Sequence, residues 1–314
     1  MHIRSLHILL ALLLVVSGLF LTIGAKGHWD FILPFRGAKL AGLILVGVSA
    51  STSTVLFQTI TQNRILTPSI MGFDALYVFL LTLAVFGLGT QSLAHVPEFV
   101  QFLSSLVLLM LASLALFGTL LVSTRRDVMR MILTGIIFGV MFRALSSFLT
   151  RMIDPNEYAA VQINSYARFN RIDTDLLWIA SILCGLALIY VWRIRHRLDV
   201  LSLGYSAATN LGERPQRATF QVLCVIAVLV SVSTALVGPI AFLGLLVVSL
   251  ARVVSPSDRH EILLPTAGLI SAIVLIGGQT VLERVLGLAT PLSVVVDALG
   301  GVIFLLLLLR MVNK

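Results

Sequence analysis

The chain has 314 residues, of which 58% are hydrophobic and 11% charged, with a mean hydropathy of +1.04 and a formal net charge of +8. Globular domains carry about a quarter charged residues, so most of this surface does not face water, which excludes an ordinary soluble domain and identifies an integral membrane protein. The apolar runs are continuous and lack period-two alternation, which argues against a membrane β-barrel.

A helix crossing the hydrocarbon core needs about 20 apolar residues, because unpaired backbone groups are not tolerated in lipid. On that basis the sequence predicts an all-α polytopic membrane protein, a single transmembrane domain over 1–314. Ten spans are expected, at 5–24, 40–60, 71–93, 99–122, 131–150, 176–193, 218–237, 240–253, 263–283 and 292–310. The eighth is short for a span. The first places Arg4 ahead of an apolar core in the manner of a signal peptide, but that core is too long and lacks a small-x-small cleavage site, so it reads as an uncleaved span. An even number of spans puts both termini on one side. With the termini in the cytoplasm, fourteen Lys and Arg fall inside, Arg125, Arg126 and Arg130 among them, against seven outside, including Lys26, Arg151, Arg168 and Arg171. That bias favours cytoplasmic termini. The +8 charge is therefore a topology signal, and no nucleic-acid partner is expected.

Several chemistries lack their residues. There is no G-x-x-x-x-G-K-[ST] phosphate loop, no H-E-x-x-H, no C-x-x-C and no G-x-S-x-G. The six His residues are scattered near span ends and read as solvated side chains, and Cys184 and Cys224 read as small apolar residues within spans. No catalysis, metal or cofactor is expected in this chain. Ionisable residues deep in the membrane mark transport pathways. Here Arg143, Asp297 and Asp74 qualify, thin support for a proton relay; Arg143 and Asp297 are expected to face a pathway or a partner helix.

In chain order, the first polar interruption is "FQTITQNRILTPSIMGFDAL", where Gln58, Asn63, Arg64, Pro68 and Gly72 fall between two apolar runs. Asn63 is able to cap a helix or fix a turn, and Pro68 and Gly72 limit both helices. The spacing Q-x4-N-x4-P-x3-G resembles the cytoplasmic turn between the second and third helices of the FecCD-type permeases, membrane subunits of bacterial ABC importers for iron-siderophores, haem and vitamin B12. Asn63-Arg64 stands where the family has Asn-Pro, a variant that looks like the branch importing ferric catecholate siderophores.

Four further stretches resemble the same family in register. "RGAKLAGLILVG" is similar to its R-x-P-R helix start, with Arg36 and Lys39 at the basic positions and Ala38 in place of Pro. The resemblance implies that these residues face the periplasm and dock a substrate-binding protein, Lys39 less well because it lacks Arg's bidentate fork. In "RHRLDVLSLGYSAATNLGERPQR", residues 195–217, the pattern of Leu201, Leu203, Gly204, Ala208, Leu211 and Gly212 resembles the cytoplasmic coupling segment. Two short helices broken at the glycines would form a knob seated in a groove of the ATPase. A basic loop held by anionic lipid explains the arginines but not the repeated Leu-Gly breaks.

"VGPIAFLGLLVVSLARVVSPSDRHEILLP" resembles the family's GPIGFVGLIVPHIAR…DHR…LLP, with Val248-Ser249 replacing Pro-His. Finally, Arg284 matches a periplasmic docking arginine, while Thr280 and the run Ala289 to Ser293 depart from the pattern; a lone interfacial arginine also serves as a snorkelling anchor. The outer loop 151–175 is expected either to meet the binding protein or to be solvated.

The resemblance implies a type II ABC importer permease in the bacterial inner membrane, moving a ferric siderophore. Its partners would be ABC ATPase subunits carrying ATP and Mg, a second permease subunit, and a binding protein. An ion-gradient-coupled carrier is the alternative; it predicts an internal repeat with interrupted helices, and residues 1–150 and 160–314 show none that convinces. An ABC permease for haem or vitamin B12 is the other alternative.

Overall fold

The computed structural model describes residues 2–24, 27, 29–123, 128–169, 172–255, 257–285, 287 and 290–312. Among these, every regular element is a helix, thirteen in all. Ten of them correspond to the expected spans: α1 (His2–Thr22), α2 (Trp29–Thr61), α3 (Phe73–His95), α4 (Glu98–Ser123), α5 (Val128–Thr150), α7 (Thr174–Arg193), α10 (Pro215–Val237), α11 (Leu243–Val254), α12 (His260–Arg284) and α13 (Leu292–Val312). Eight of the ten are long and apolar enough to cross a bilayer over their described residues, and α11 and α13 give shorter apolar stretches. Of the residues used above, Lys26, His28, Arg125, Arg126, Arg171 and Ala289 lie outside the described set.

α2 is the largest departure. It begins eleven residues before the expected span, at Trp29, and carries Asp30, Pro34, Arg36 and Lys39 inside a helix of 33 residues. Burial explains how a polar start survives, since Arg36 and Lys39 both find partners inside the protein. α2 and α10 are the middle of the bundle: most of their spanning residues are buried, as is over half of α12, whereas α1 and α5 leave most of theirs outward. Helices packed on all sides belong to the core, and those apolar all round but exposed face lipid. α2 runs against α12, α10, α11 and α7, and α3 runs against α5. At the start of α3 a Cβ on Gly72 would lie 3.0 Å from the backbone of Gly139 on α5, so this crossing admits no side chain there.

The three remaining helices are short. α6 (Pro155–Asn164) lies in the loop after α5, and α8 (Arg195–Leu201) and α9 (Tyr205–Asn210) follow α7. α6 starts on an Asp154 cap that accepts Asn156 N–H, and its Glu157 accepts the backbone N–H and the hydroxyl of Thr90, just after the kink at Gly89 in α3. The stretch after α6 turns back into the bundle: Arg168 N–H donates to Val237 O at 2.7 Å and Ala167 N–H to Ser293 Oγ at 3.2 Å, with Ala167 and Phe169 buried. This part of the 151–175 loop is packed, not solvated.

Candidate functional site

One end of the bundle gathers the turn after α2, the α8–α9 segment and the α11–α12 connection. Gln58, buried in the last turns of α2, donates from Nε2 to Arg64 O at 2.7 Å, and Asn63 Oδ1 accepts Ile65 N–H at 2.9 Å. Those two bonds close the turn, and Leu66, Thr67 and Pro68 fold back inside. Arg64 reaches Asp258 at 2.9 Å, and Asp258 also accepts from Arg252 at 2.7 Å, which in turn donates to Gln58 Oε1 at 3.2 Å. The sequence-predicted turn thus joins the α11–α12 connection in one network.

The α8–α9 segment splits the six residues assigned to coupling into two sets. Leu201 and Ala208 are buried and anchor the segment on the bundle. Leu203 and Leu211 are 62% and 63% exposed, with Tyr205 also exposed between them, so they form an apolar tip on an otherwise polar segment. Gly204 and Gly212 adopt φ of +94° and +84°, a region other residues enter only under strain, and each faces open space. Gly212 closes α9 in a Schellman arrangement, with Glu213 N–H bonded to Ala208 O and Gly212 N–H to Thr209 O, both at 3.0 Å. Arg197 of α8 clasps Glu213 through two bonds, of 2.6 and 3.2 Å. The bond from Arg197 holds the Glu213 carboxyl below its ordinary range, and the same bond raises the guanidinium.

A contact the sequence did not disclose ties α8 to the bundle. His260 is 2% exposed, with Nδ1 2.6 Å from Asp199 Oδ1 and Nε2 2.8 Å from Thr59 Oγ1. It is a buried histidine, against the expectation that all six are solvated. Sixty-one residues separate Asp199 from His260 and 201 separate Thr59 from it, so nothing local could have signalled the trio.

At the opposite end lie the three cations assigned to docking, and only one reaches the surface. Arg36 is buried and donates to the carbonyls of Phe20, Leu21 and Ile23 at 3.3, 2.7 and 3.0 Å, so it satisfies the orphan acceptors at the C-terminus of α1. Lys39 is buried, paired with Glu283 at 2.7 Å, and Gln279 donates to the same oxygen of Glu283 at 2.7 Å. Arg284 is exposed, its guanidinium beside Gly24.

Within the bundle, the two expected deep charges part ways. Asp297 of α13 accepts Phe242 N–H at 2.9 Å and so caps the start of α11 from a neighbouring helix. Arg143 is exposed on α5, its guanidinium folded back over Gly139. Beside the α11 start is a cavity of about 30 Å³, whose lining includes Asp74, Ser53, Thr54, Ser69, Ser233 and Thr234. Ser53, Thr54 and Ser233 give their protons to carbonyls of their own helices, so they offer mainly lone pairs to this space. It has room for about one water.

The model of the FecCD transport family matches residues 6–310. The petrobactin import system permease protein YclO of Bacillus subtilis is 46% identical over 306 residues, covering 98% of this chain and 97% of that protein. The petrobactin import system permease protein FatC of Bacillus anthracis is 32% identical over 275 residues, covering 88% of this chain and 78% of that protein. A solved metal-chelate type ABC transporter in an inward-facing conformation superposes with a TM-score of 0.82 at 23% identity, over 99% of this chain and 100% of that one, which establishes the shared fold. Matched by one family model from the first helix to the last, and by a relative of nearly the same length, the chain belongs to the FecCD transport family.

Proposed function

We propose that this chain is the transmembrane permease subunit of an ABC importer that carries a ferric siderophore, of the catecholate type, from a binding protein into the cytoplasm. The observation that carries the reading is the end-to-end 46% identity with a permease of a petrobactin import system. The exposed Leu203–Leu211 tip supports it, since an apolar knob on a polar segment suits a groove in a soluble ATPase subunit. The chain sits in the bacterial inner membrane with both termini cytoplasmic, which places that tip on the side where ATP is available. ATP and Mg bind the ATPase, and a second permease subunit, a paralogue or another copy, completes the pathway. ATP acts by binding more tightly to one state of the assembly than to the other, closing the ATPase dimer and moving the α8–α9 segments.

The binding protein docks at the end that carries Arg284. Arg36 and Lys39 support that surface from beneath, by holding α1 and α12 in place, and do not themselves reach the partner in this conformation.

Proteoliposomes containing this chain with its neighbouring permease, ATPase and binding protein test the reading through uptake of a radio-iron-labelled catecholate siderophore. Uptake is expected to require ATP and the binding protein. It is expected to fail when Gly204 and Gly212 are replaced by Val, each forced to a positive φ at a strain of about 1–3 kcal/mol. Uptake that follows an imposed ion gradient without the ATPase would overturn it.

A further inference from the structure

The α8–α9 segment meets the bundle through a short chain of buried polar groups. Asp199, in the middle of α8, uses Oδ1 to accept both the backbone N–H of His260 at 2.9 Å and the ring at Nδ1, at 2.6 Å. A carboxylate only accepts, so Nδ1 carries the proton. On the far side of the ring, Nε2 meets Thr59 Oγ1 at 2.8 Å, and Thr59 Oγ1 lies 2.8 Å from Val55 O in its own helix. One imidazole therefore joins α8, the first residue of α12 and the last turns of α2. A second tie runs alongside, from Gln62 Nε2 to Leu201 O at 2.9 Å.

Geometry decides what happens when α8 is displaced. The Asp199–His260–Thr59 chain is compact and rigid across the ring. A shift of α8 away from it would take the Asp199 acceptor from the His260 amide and ring N–H, at a cost of about 1–3 kcal/mol for each group that stays buried. Moving α12 and α2 together with α8 leaves all of these bonds intact. Those two helices also pack on each other along the bundle and are joined again at the far end by Lys39 and Glu283. The two helices are thus tied to each other at both ends, by Lys39 and Glu283 at one and by Thr59 and His260 at the other.

We propose that Asp199, His260 and Thr59 form a positioning link that converts displacement of the α8–α9 segment into joint displacement of α2 and α12, a role that rests on the importer reading above. Without the link, packing and the Gln62 bond still hold α8 on the bundle, but its displacement is no longer passed to α12 and α2 together, and part of the ATPase stroke is lost before it reaches the spans. Leu198 and Leu201 hold the segment on the bundle by burial, but apolar packing fixes no direction between α8 and α12 as the bonds to His260 do.

The test uses the complete importer in proteoliposomes and reads iron taken up per ATP hydrolysed, with copurification of the ATPase as the assembly control. Thr59→Val removes the hydroxyl at nearly constant volume, Thr59→Ser keeps it, and His260→Leu removes both ring contacts. The uptake-to-hydrolysis ratio is expected to fall about threefold in Thr59→Val and about tenfold in His260→Leu, and to return to wild type in Thr59→Ser. An unchanged ratio in His260→Leu, or an equal fall in the Val and Ser variants, would overturn the link. If His260→Leu does not assemble, Thr59→Val decides alone, and an unchanged ratio there counts against the link. A wild-type complex without ATP-dependent uptake sinks the importer reading itself, whereas wild-type uptake with indifferent variants sinks only the link.

Discussion

The two ends of the bundle use their charges in opposite ways. At the α1–α2–α12 end, Arg36 and Lys39 turn inward: one closes the C-terminus of α1, and the other neutralises Glu283. At the α8–α9 end, charges pair across loops, as Arg64 and Arg252 do with Asp258, and two leucines, Leu203 and Leu211, stand outward among exposed polar residues. A basic residue near the end of a span is thus no guide to a docking surface, because it is as readily spent on a helix terminus or a buried carboxylate. Apolar side chains held outward on a polar segment are the better candidate for a partner surface.

The sharpest way to break this comparison is at Lys39. Its side chain and that of Glu283 are 8% and 12% exposed. Removing one member leaves an uncompensated buried charge, so Lys39→Met is expected to destabilise the protein by about 3–5 kcal/mol. Lys39→Met with Glu283→Leu is expected to recover most of the loss, because an apolar pair of similar volume replaces the ions. Arg284→Ala, at the same end but exposed, is expected to change stability by less than about 0.5 kcal/mol. Detergent-based unfolding of the three variants checks the ordering; a benign Lys39→Met would mean that Lys39 is free to face a partner.

A smaller effect on stability and a larger one on assembly are expected from the leucines. Leu203→Asp with Leu211→Asp changes two exposed positions, so the unfolding midpoint is expected to stay within about 1 kcal/mol of wild type. Copurification of the ATPase should be lost, since charge is placed in an apolar contact. Retention of the ATPase by a folded double variant would move the partner surface elsewhere.

Much of this was legible in the sequence. Lipid forbids unpaired backbone, so each span announces itself as an apolar run, and α8 and α9 follow from Leu-Gly breaks whose glycines do adopt positive φ. The turn at Asn63 was readable because its bonds are local, Asn63 to Ile65 and Gln58 to Arg64. The start of α2 was missed because hydropathy stops at Lys39, while the helix continues to Trp29 on tertiary support. The inward fate of Lys39 and the Asp199–His260–Thr59 trio depend on partners 244, 61 and 201 residues away, and periodicity carries no information about such pairs. Asp297 was half legible: its discomfort in lipid was plain, but the N–H it satisfies belongs to an interrupted stretch between α10 and α11 that only the fold brings near.

The smallest effect lies in the clasp between Arg197 and Glu213, whose side chains are 45% and 15% exposed. The bond from Arg197 depresses Glu213, so the carboxylate contributes stability at pH above its ordinary value of 4.5, and that contribution is lost as pH falls through the lower folded value. The same bond raises Arg197 above its already high ordinary value, and its contribution is fully present below that value, so the pair is intact throughout the neutral range. Solvent screening at the half-exposed guanidinium keeps the effect modest and confined to the segment. The Glu213 amide, bonded to Ala208 O, reports on it directly. Its hydrogen-exchange protection, corrected for intrinsic rates, is expected to be level from pH 8 to pH 6 and to fall by about threefold at pH 4, while the α10 core keeps its protection. Glu213→Gln is expected to show the lower protection at every pH. A protection factor that ignores both acid and the substitution would mean that the Schellman turn at Gly212 closes the segment unaided and that the clasp adds nothing to the stiffness of the tip.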